Sequence, residues 1–345
     1  MSATPLPLRP LPPLDELLER VRIVAIPTRT RFRGVTLREA AIFEGPSGAS
    51  EFSPFLEYED REAASWLAAA VEYGWGELPP IQRSRIAVNA TVPAVSAAAV
   101  PEVLARFEGC RTAKVKVAER GQSLADDIAR VRAVREAMGD DALVRIDANG
   151  GWSVDEAVTA LRALAEFDLD YAEQPCMSVA ELVEVRRQTT DQKIRGSRPL
   201  VRIAADESVR KAEDPLAVAR AGAADLLIVK AQPLGGIARA LEIIEAAALP
   251  VVVSSALDTS VGIGMGLHLA AALPDGLLAG ACGLGTVALL DGDVTDRQLI
   301  AENGEIEVRR AILDPALLEE YAAEPERERW WHERIARCHR LLASS

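Results

Sequence analysis

Five apolar runs in the middle of this chain each finish on or beside a charged residue. They are AKVKV (113–117) with Lys116, LVRID with Asp147, LDYAE with Glu173, RIAAD with Asp206 and LLIVK with Lys230. In chain order they read base, acid, acid, acid, base. Charged side chains are rarely buried without a partner, so five in succession at the ends of apolar runs form a constellation. Three carboxylates on neighbouring strands can converge on one point. That many hard oxygen donors suits a divalent cation such as Mg²⁺, with Mn²⁺ as a substitute. Without a cation the cluster repels itself. A metal beside a lysine base is a setting for removing the proton next to a carboxylate, the cation balancing the enediolate charge that develops.

The first of these runs carries a second lysine. Side chains two apart on a strand share a face, so Lys114 and Lys116 point one way while Val115 and Val117 point the other. The valines are expected to pack outward against helices and the lysines to point inward. Lys116, nearer the strand end, reaches the substrate. Lys114 lies one layer deeper, a neighbouring cation that lowers the pKa of Lys116 toward working pH. Three histidines (His268, His332, His339) stand in unremarkable contexts and offer no alternative base.

What must position these groups is an α/β fold. Apolar runs at 86–92, 113–117, 143–147, 169–173, 202–206, 226–230, 251–255 and 277–283 alternate with Ala/Glu/Arg-rich helical stretches. Eight alternations predict a (β/α)8 barrel, whose chemistry sits at the C-terminal ends of its strands. Lys116 on strand two and Lys230 on strand six are then diametrically opposite, and a substrate between them presents one face to each. Residues 1–85 read as an α+β cap behind a proline-rich tail, 86–305 as the barrel, and 306–345 as a helical segment packing back on the cap. The 345-residue chain is 49% hydrophobic with a net charge of −13, which argues against a nucleic-acid or anionic-membrane binder. Scattered cysteines, no secretory leader and no run of about 20 apolar residues predict a cytoplasmic protein, here taken as a monomer acting on a small dicarboxylate.

The segments KVK, DANGGW, AEQP, ADES and IVKAQPLGG, in that order, resemble the successive barrel motifs of the muconate-lactonising branch of the enolase superfamily, across the whole chain. Within it the pattern is most similar to the dehydratases of menaquinone synthesis. The resemblance implies a modified TIM barrel capped by an α+β domain, with Asp147, Glu173 and Asp206 as ligands of the metal. Glu207 is eligible by chemistry; the match favours Asp206 and leaves Glu207, Asn149 and Arg145 supporting, Arg145 beside the carboxylates and Lys114. Lys116 matches the acid/base and Lys230 the opposing lysine, which stays cationic over the ring. The implied reaction is loss of water from a succinyl-bearing cyclohexadiene carboxylate, with aromatisation. The alternative within the branch is a racemase of N-succinyl amino acids or a dipeptide epimerase, in which the two lysines form a two-base pair. A dianionic substrate needs a second anion site. Arg29, Arg31 and Arg33 of TRTRFRG, expected in a cap loop, and Ser254 and Ser255 after strand seven are the candidates.

Overall fold

The computed structural model describes residues 11–32, 34–190, 199–210 and 214–344. Its strands are β1 (Val21–Phe32), β2 (Val35–Gly45), β3 (Gly48–Phe52), β4 (Arg85–Ala87), β5 (Ala90–Val92), β6 (Thr112–Lys116), β7 (Leu143–Asp147), β8 (Leu169–Glu173), β9 (Arg202–Ala205), β10 (Leu226–Val229), β11 (Val251–Val253) and β12 (Glu305–Glu307).

β1–β3 form an antiparallel sheet with both faces covered. Strand alternation sorts its side chains. Ile23, Ala41 and Phe43 join one core with Trp66 and Trp331; Val24, Ile26, Ala40 and Ile42 join the barrel core. Trp66 belongs to the helix Asp60–Trp75 and Trp331 to the C-terminal helix Pro325–Ala343. That last helix is tied to β2 by Glu39, which accepts from Trp331 Nε1 at 2.6 Å and pairs with Arg327 at 2.7 Å. The C-terminal end thus returns to the first strands.

β5 to β11 form one parallel sheet in sequential order. The segment 277–283 closes it. Ala279 N bonds Val251 O and Gly283 N bonds Val253 O on one side; Cys282 N bonds Ala87 O and Asn89 N bonds Cys282 O on the other. The eighth barrel run is therefore present as single bridges rather than a ladder. The backbone comes close to strand β11 here: a Cβ on Gly283 would stand 2.5 Å from Ser254 Oγ and 3.2 Å from Ser254 Cβ. The run 86–92, expected as one strand, is two. β4 pairs antiparallel with β12 outside the barrel, and β5 enters it. The backbone changes partner between them, Val88 N bonding Gly304 O and Asn89 N bonding Cys282 O.

Inside the barrel Tyr171, Ala204, Leu226, Ile228 and Val252 fill the layer beneath the strand ends. Three helices that follow site-bearing strands start at capping boxes: Ser123 with Asp126, Ser153 with Glu156, Ser178 with Glu181. Each serine satisfies an orphan helical N–H and each acid returns the bond. The turns after β6, β7 and β8 are thereby fixed where the charged strand ends emerge.

Candidate active site

Register sets the site. Lys116 lies level with Asp147, and Asp147 with Glu173, across three adjacent parallel strands. Asp206 and Lys230 directly follow β9 and β10. One cavity is lined by Lys114, Lys116, Asp147, Asn149, Asp206, Lys230, Ser254 and Ser255, with Phe32, Phe55, Thr91, Ala256, Gly283 and Thr286. The three lysines are each 7% exposed and the three acids each 1%, so these charges answer mainly to one another.

Lys114 Nζ donates to Asp147 at 3.1 Å and to both oxygens of Glu173 at 3.1 and 3.2 Å. Lys116 Nζ donates to Asp147 Oδ2 at 2.5 Å and to Asn149 Oδ1 at 2.7 Å. Lys230 pairs with Asp206. Burial pulls the Lys114 pKa down, but the carboxylates of Glu173 and Asp147 outweigh it and hold the ammonium above the ordinary lysine range. Asp147 is pushed up by burial, yet Lys116 and Lys114 bring it well below the usual carboxylate value. Glu173 goes the other way, to about 8, because burial and the charge of Asp147 outweigh Lys114.

Among the described residues no three acidic, histidine or cysteine side chains are drawn together as a finished ligand group; ammonium groups are the countercharges of these carboxylates. The donor set nonetheless fits a divalent cation. It comprises three hard oxygen ligands from consecutive strands, facing the barrel mouth, with Glu173 raised by burial and by the neighbouring charge of Asp147. Asp147, Glu173 and Asp206 are the residues that would hold it.

Two residues fix the turns around these acids. Asn149, in the left-handed region (φ 46°), bonds Asp147 Oδ1 through its N–H at 3.0 Å and Glu207 through Nδ2 at 3.2 Å. Gln174 (φ 39°) accepts from the N–H groups of Asp206 at 2.9 Å and Ser208 at 3.2 Å, and donates to Ser208 Oγ at 2.6 Å. Gln174 is the third residue of the AEQP segment, and nothing in its type or spacing marks this role. Arg145 shares the inward face of Asp147 but lies a layer deeper. Its bonds run to Asp170 at 2.9 Å and the Ala281 carbonyl at 2.6 Å, and it stacks on Tyr171. It braces the barrel below the carboxylates rather than the carboxylates themselves.

Residues 28–32 of the basic stretch are strand rather than loop. β1 runs through Phe32, with Phe32 opposite Val35 in a hairpin. Arg29 and Arg31 are exposed, Arg29 pairing with Asp291 at 2.9 Å; Arg33 lies outside the described residues. The residue that turns inward is Phe32, its ring 5.3 Å from Lys116 Nζ. Its neighbour in the chain, Arg31, takes the outer face by strand alternation. Ser255 Oγ donates to Gly283 O at 2.9 Å and meets Thr286 Oγ1 at 2.8 Å; Ser254 is 5% exposed beside them. Phe32, Phe55, Thr91 and Thr286 were not foreseen. Only the inward phase of Thr91 on a barrel strand carried a signal.

The comparisons with known proteins decide the family. The sequence model for "Enolase C-terminal domain-like" matches residues 96–312, and that for "Enolase N-terminal domain-like" matches 23–74. This chain belongs to the enolase superfamily. Curated relatives named o-succinylbenzoate synthase include those of Mycobacterium bovis, 54% identical over 97% of this chain and 98% of the relative, and Mycolicibacterium smegmatis, 54% identical over 96% and 99%. Among solved structures, 2-chloromuconate cycloisomerase from Rhodococcus opacus superposes with a TM-score of 0.71 at 23% identity, covering 88% of this chain and 98% of that one, a likeness of fold. The superfamily's enzymes use a divalent metal. Among the described residues no helix is long and apolar enough to cross a membrane.

Proposed function

We propose that this chain is a lyase that dehydrates 2-succinyl-6-hydroxy-2,4-cyclohexadiene-1-carboxylate to o-succinylbenzoate, with Mg²⁺ as its cation. The observation that carries the reading is the 54% identity, over nearly the whole of both chains, to relatives of that name. The geometry supplies the means. Lys116 and Lys230 line one cavity with Asp147 and Asp206, from strands four apart in an eight-membered ring.

A divalent cation held by Asp147, Glu173 and Asp206 supplies electrostatic stabilisation of the negative charge that develops as the proton beside the carboxylate leaves. The protein's own groups do the rest. Lys116, as the amine, takes the proton from C1; Asp147 and Asn149 hold its nitrogen at the mouth of the barrel. The C1–H pair becomes a ring double bond as the C6–O bond breaks. Lys116 returns its proton to the departing hydroxyl, and water leaves. One base serves both steps when hydrogen and hydroxyl leave from the same face. Lys230 remains a cation on the other face. Lys114, paired with two carboxylates, is a fixed positive charge beneath the substrate. Phe32, beside Lys116, gives the ring an apolar wall, and Phe55 with Ser254, Ser255 and Thr286 bounds the part of the cavity left for the succinyl arm. The cytoplasm is the assigned compartment, on four free cysteines.

The test is to follow purified protein with Mg²⁺ and the cyclohexadiene, monitoring the aromatic product by absorbance, with N-succinyl amino acids as a parallel panel. Aromatisation faster than deuterium exchange into any N-succinyl amino acid is the expected result. Exchange without aromatisation would sink the reading.

A further inference from the structure

A buried arginine that does not touch the cavity connects its two walls. Arg38, on β2, is 3% exposed. Its Nε donates to the Leu257 carbonyl at 3.0 Å, its Nη2 to the Ser53 carbonyl, and its Nη1 to the Glu39 carbonyl at 3.4 Å. Its guanidinium lies 4.8 Å from the ring centre of Phe55. Leu257 directly follows Ser254, Ser255 and Ala256; Ser53 precedes Phe55 by two. All four of these flanking residues line the cavity. Leu257 is held at φ 64°, a conformation that costs a bulky residue energy and persists only where its surroundings over-determine it.

The charge partner of Arg38 is Asp258, equally buried and 3.9 Å away, beyond hydrogen-bonding distance. A buried pair with so loose a contact is a poor source of stability. The guanidinium's well-placed donors go instead to backbone carbonyls on both sides of the seam, a reach that the planar fork of arginine has and a lysine lacks. The same seam is closed by Glu51 of β3. It accepts from Thr259 N at 3.1 Å, Thr259 Oγ1 at 2.6 Å and Gly262 N at 2.9 Å. A Cβ on Gly262 would meet Asp258 Cβ at 2.7 Å and Glu51 Oε2 at 2.9 Å. The loop after β11 is thus held against the cap at two points, Arg38 of β2 and Glu51 near the C-terminal end of β3.

We propose that Arg38 is a specificity-determining positioning residue: it sets the separation between Phe55 of the cap and the Ser254–Ala256 wall of the barrel, between which the substrate's arm is gripped. The inference rests on the dehydratase reading of the cavity. It concerns binding of the part of the substrate remote from the reacting carbon, so its signature is KM rather than kcat.

Three variants test it: R38M, which removes the fork; R38K, which keeps the charge; and R38M/D258N, which removes both charges. Melting temperature, kcat, KM and the Kd of o-succinylbenzoate are measured for each, with wild type alongside. The expected result is a rise of about tenfold or more in KM and product Kd in all folded variants, with kcat within about threefold. The double variant recovers the melting temperature lost in R38M without recovering KM. Recovery of both would make Arg38 half of a structural ion pair and overturn the proposal. So would unchanged KM in folded R38M, a fall in kcat matching the rise in KM, or failure of all three to fold. Wild-type turnover of the cyclohexadiene, measured in the same series, separates failure of this inference from failure of the functional reading.

Discussion

Lys116 and Lys230 face one cavity with different partners: Lys116 is shared between Asp147 and Asn149, while Lys230 is paired with Asp206. In a dehydration from one face only Lys116 needs to give up and take back a proton. Arginine keeps the charge of a lysine but stays protonated in proteins. Lys230→Arg is therefore expected to retain dehydration in single-turnover measurements, slowed by roughly 10²-fold through misplacement of the larger group, and Lys116→Arg to retain none. Equal and complete loss in both, with metal binding intact, would make Lys230 a second acid/base and favour a racemase. Replacing Asp147, Glu173 or Asp206 by its amide should lower kcat by at least about 10³-fold. EDTA should abolish turnover and Mg²⁺ restore it; full activity in metal-free protein would refute the assignment of these acids. The five charged strand ends were legible in the sequence because each breaks an apolar run at the point where a barrel strand must stop. Phe32 and Phe55 were not. A single aromatic in a cap strand or in the turn after one carries no periodic mark, and Arg29 and Arg31, the basic residues beside Phe32 that are described, lie on the outer face.

At the scale of elements, seven of the eight barrel runs form regular strands because alternation and β-branched content agree with the parallel sheet. The eighth, with two glycines and two alanines in LLAGACG, has too little side chain to specify a ladder, and its closure was visible only in the backbone bonds. The split of 86–92 was illegible for a related reason: β4 takes its partner from residues 305–307, far away in sequence. What positions the site is equally the set of turns after the strands. Ser153 receives the Glu156 N–H and donates to its carboxylate, capping the helix that follows Asp147. Ser153→Ala should cost about 1 kcal/mol, read from the urea midpoint, with kcat little changed. A loss of several-fold more in kcat than in stability would mean that the cap sets the Asp147–Asn149 turn directly. On β1, Phe32→Ala should raise KM, whereas Arg29→Ala, exposed and paired with Asp291, should leave it near wild type. The reverse ranking would restore the arginines to the anion site.

At the scale of the whole molecule, cap and barrel meet over ionisable groups that have no access to water. Glu51 is fully buried, and burial and the charge of Asp258 push its pKa up from 4.5 to about 7, against the pull of Arg38, Ser53 and Thr259. Asp258 is raised as well, by its own burial. The seam is crossed by Arg38 on the cap side and by Thr259 and Gly262 on the barrel side, so opening it exposes Glu51. In the unfolded chain the carboxyl titrates near its ordinary value; in the folded protein it keeps its proton to higher pH. Between those two values the native state binds more protons than the unfolded state, and stability falls as pH rises. The contribution is fully present below about pH 4.5 and is lost by about pH 7, a change bounded at about 3 kcal/mol. Glu51→Gln removes the titration while keeping the shape and a hydrogen-bonding carbonyl. Urea unfolding of wild type and variant from pH 5 to 8 should give a wild-type free energy that declines toward neutrality and a variant curve that is flatter across that range. Parallel curves would show that Glu51 is ionised throughout. The seam would then be held by a charged carboxylate on the Thr259 and Gly262 amides, and the pH dependence of the fold would have to come from elsewhere.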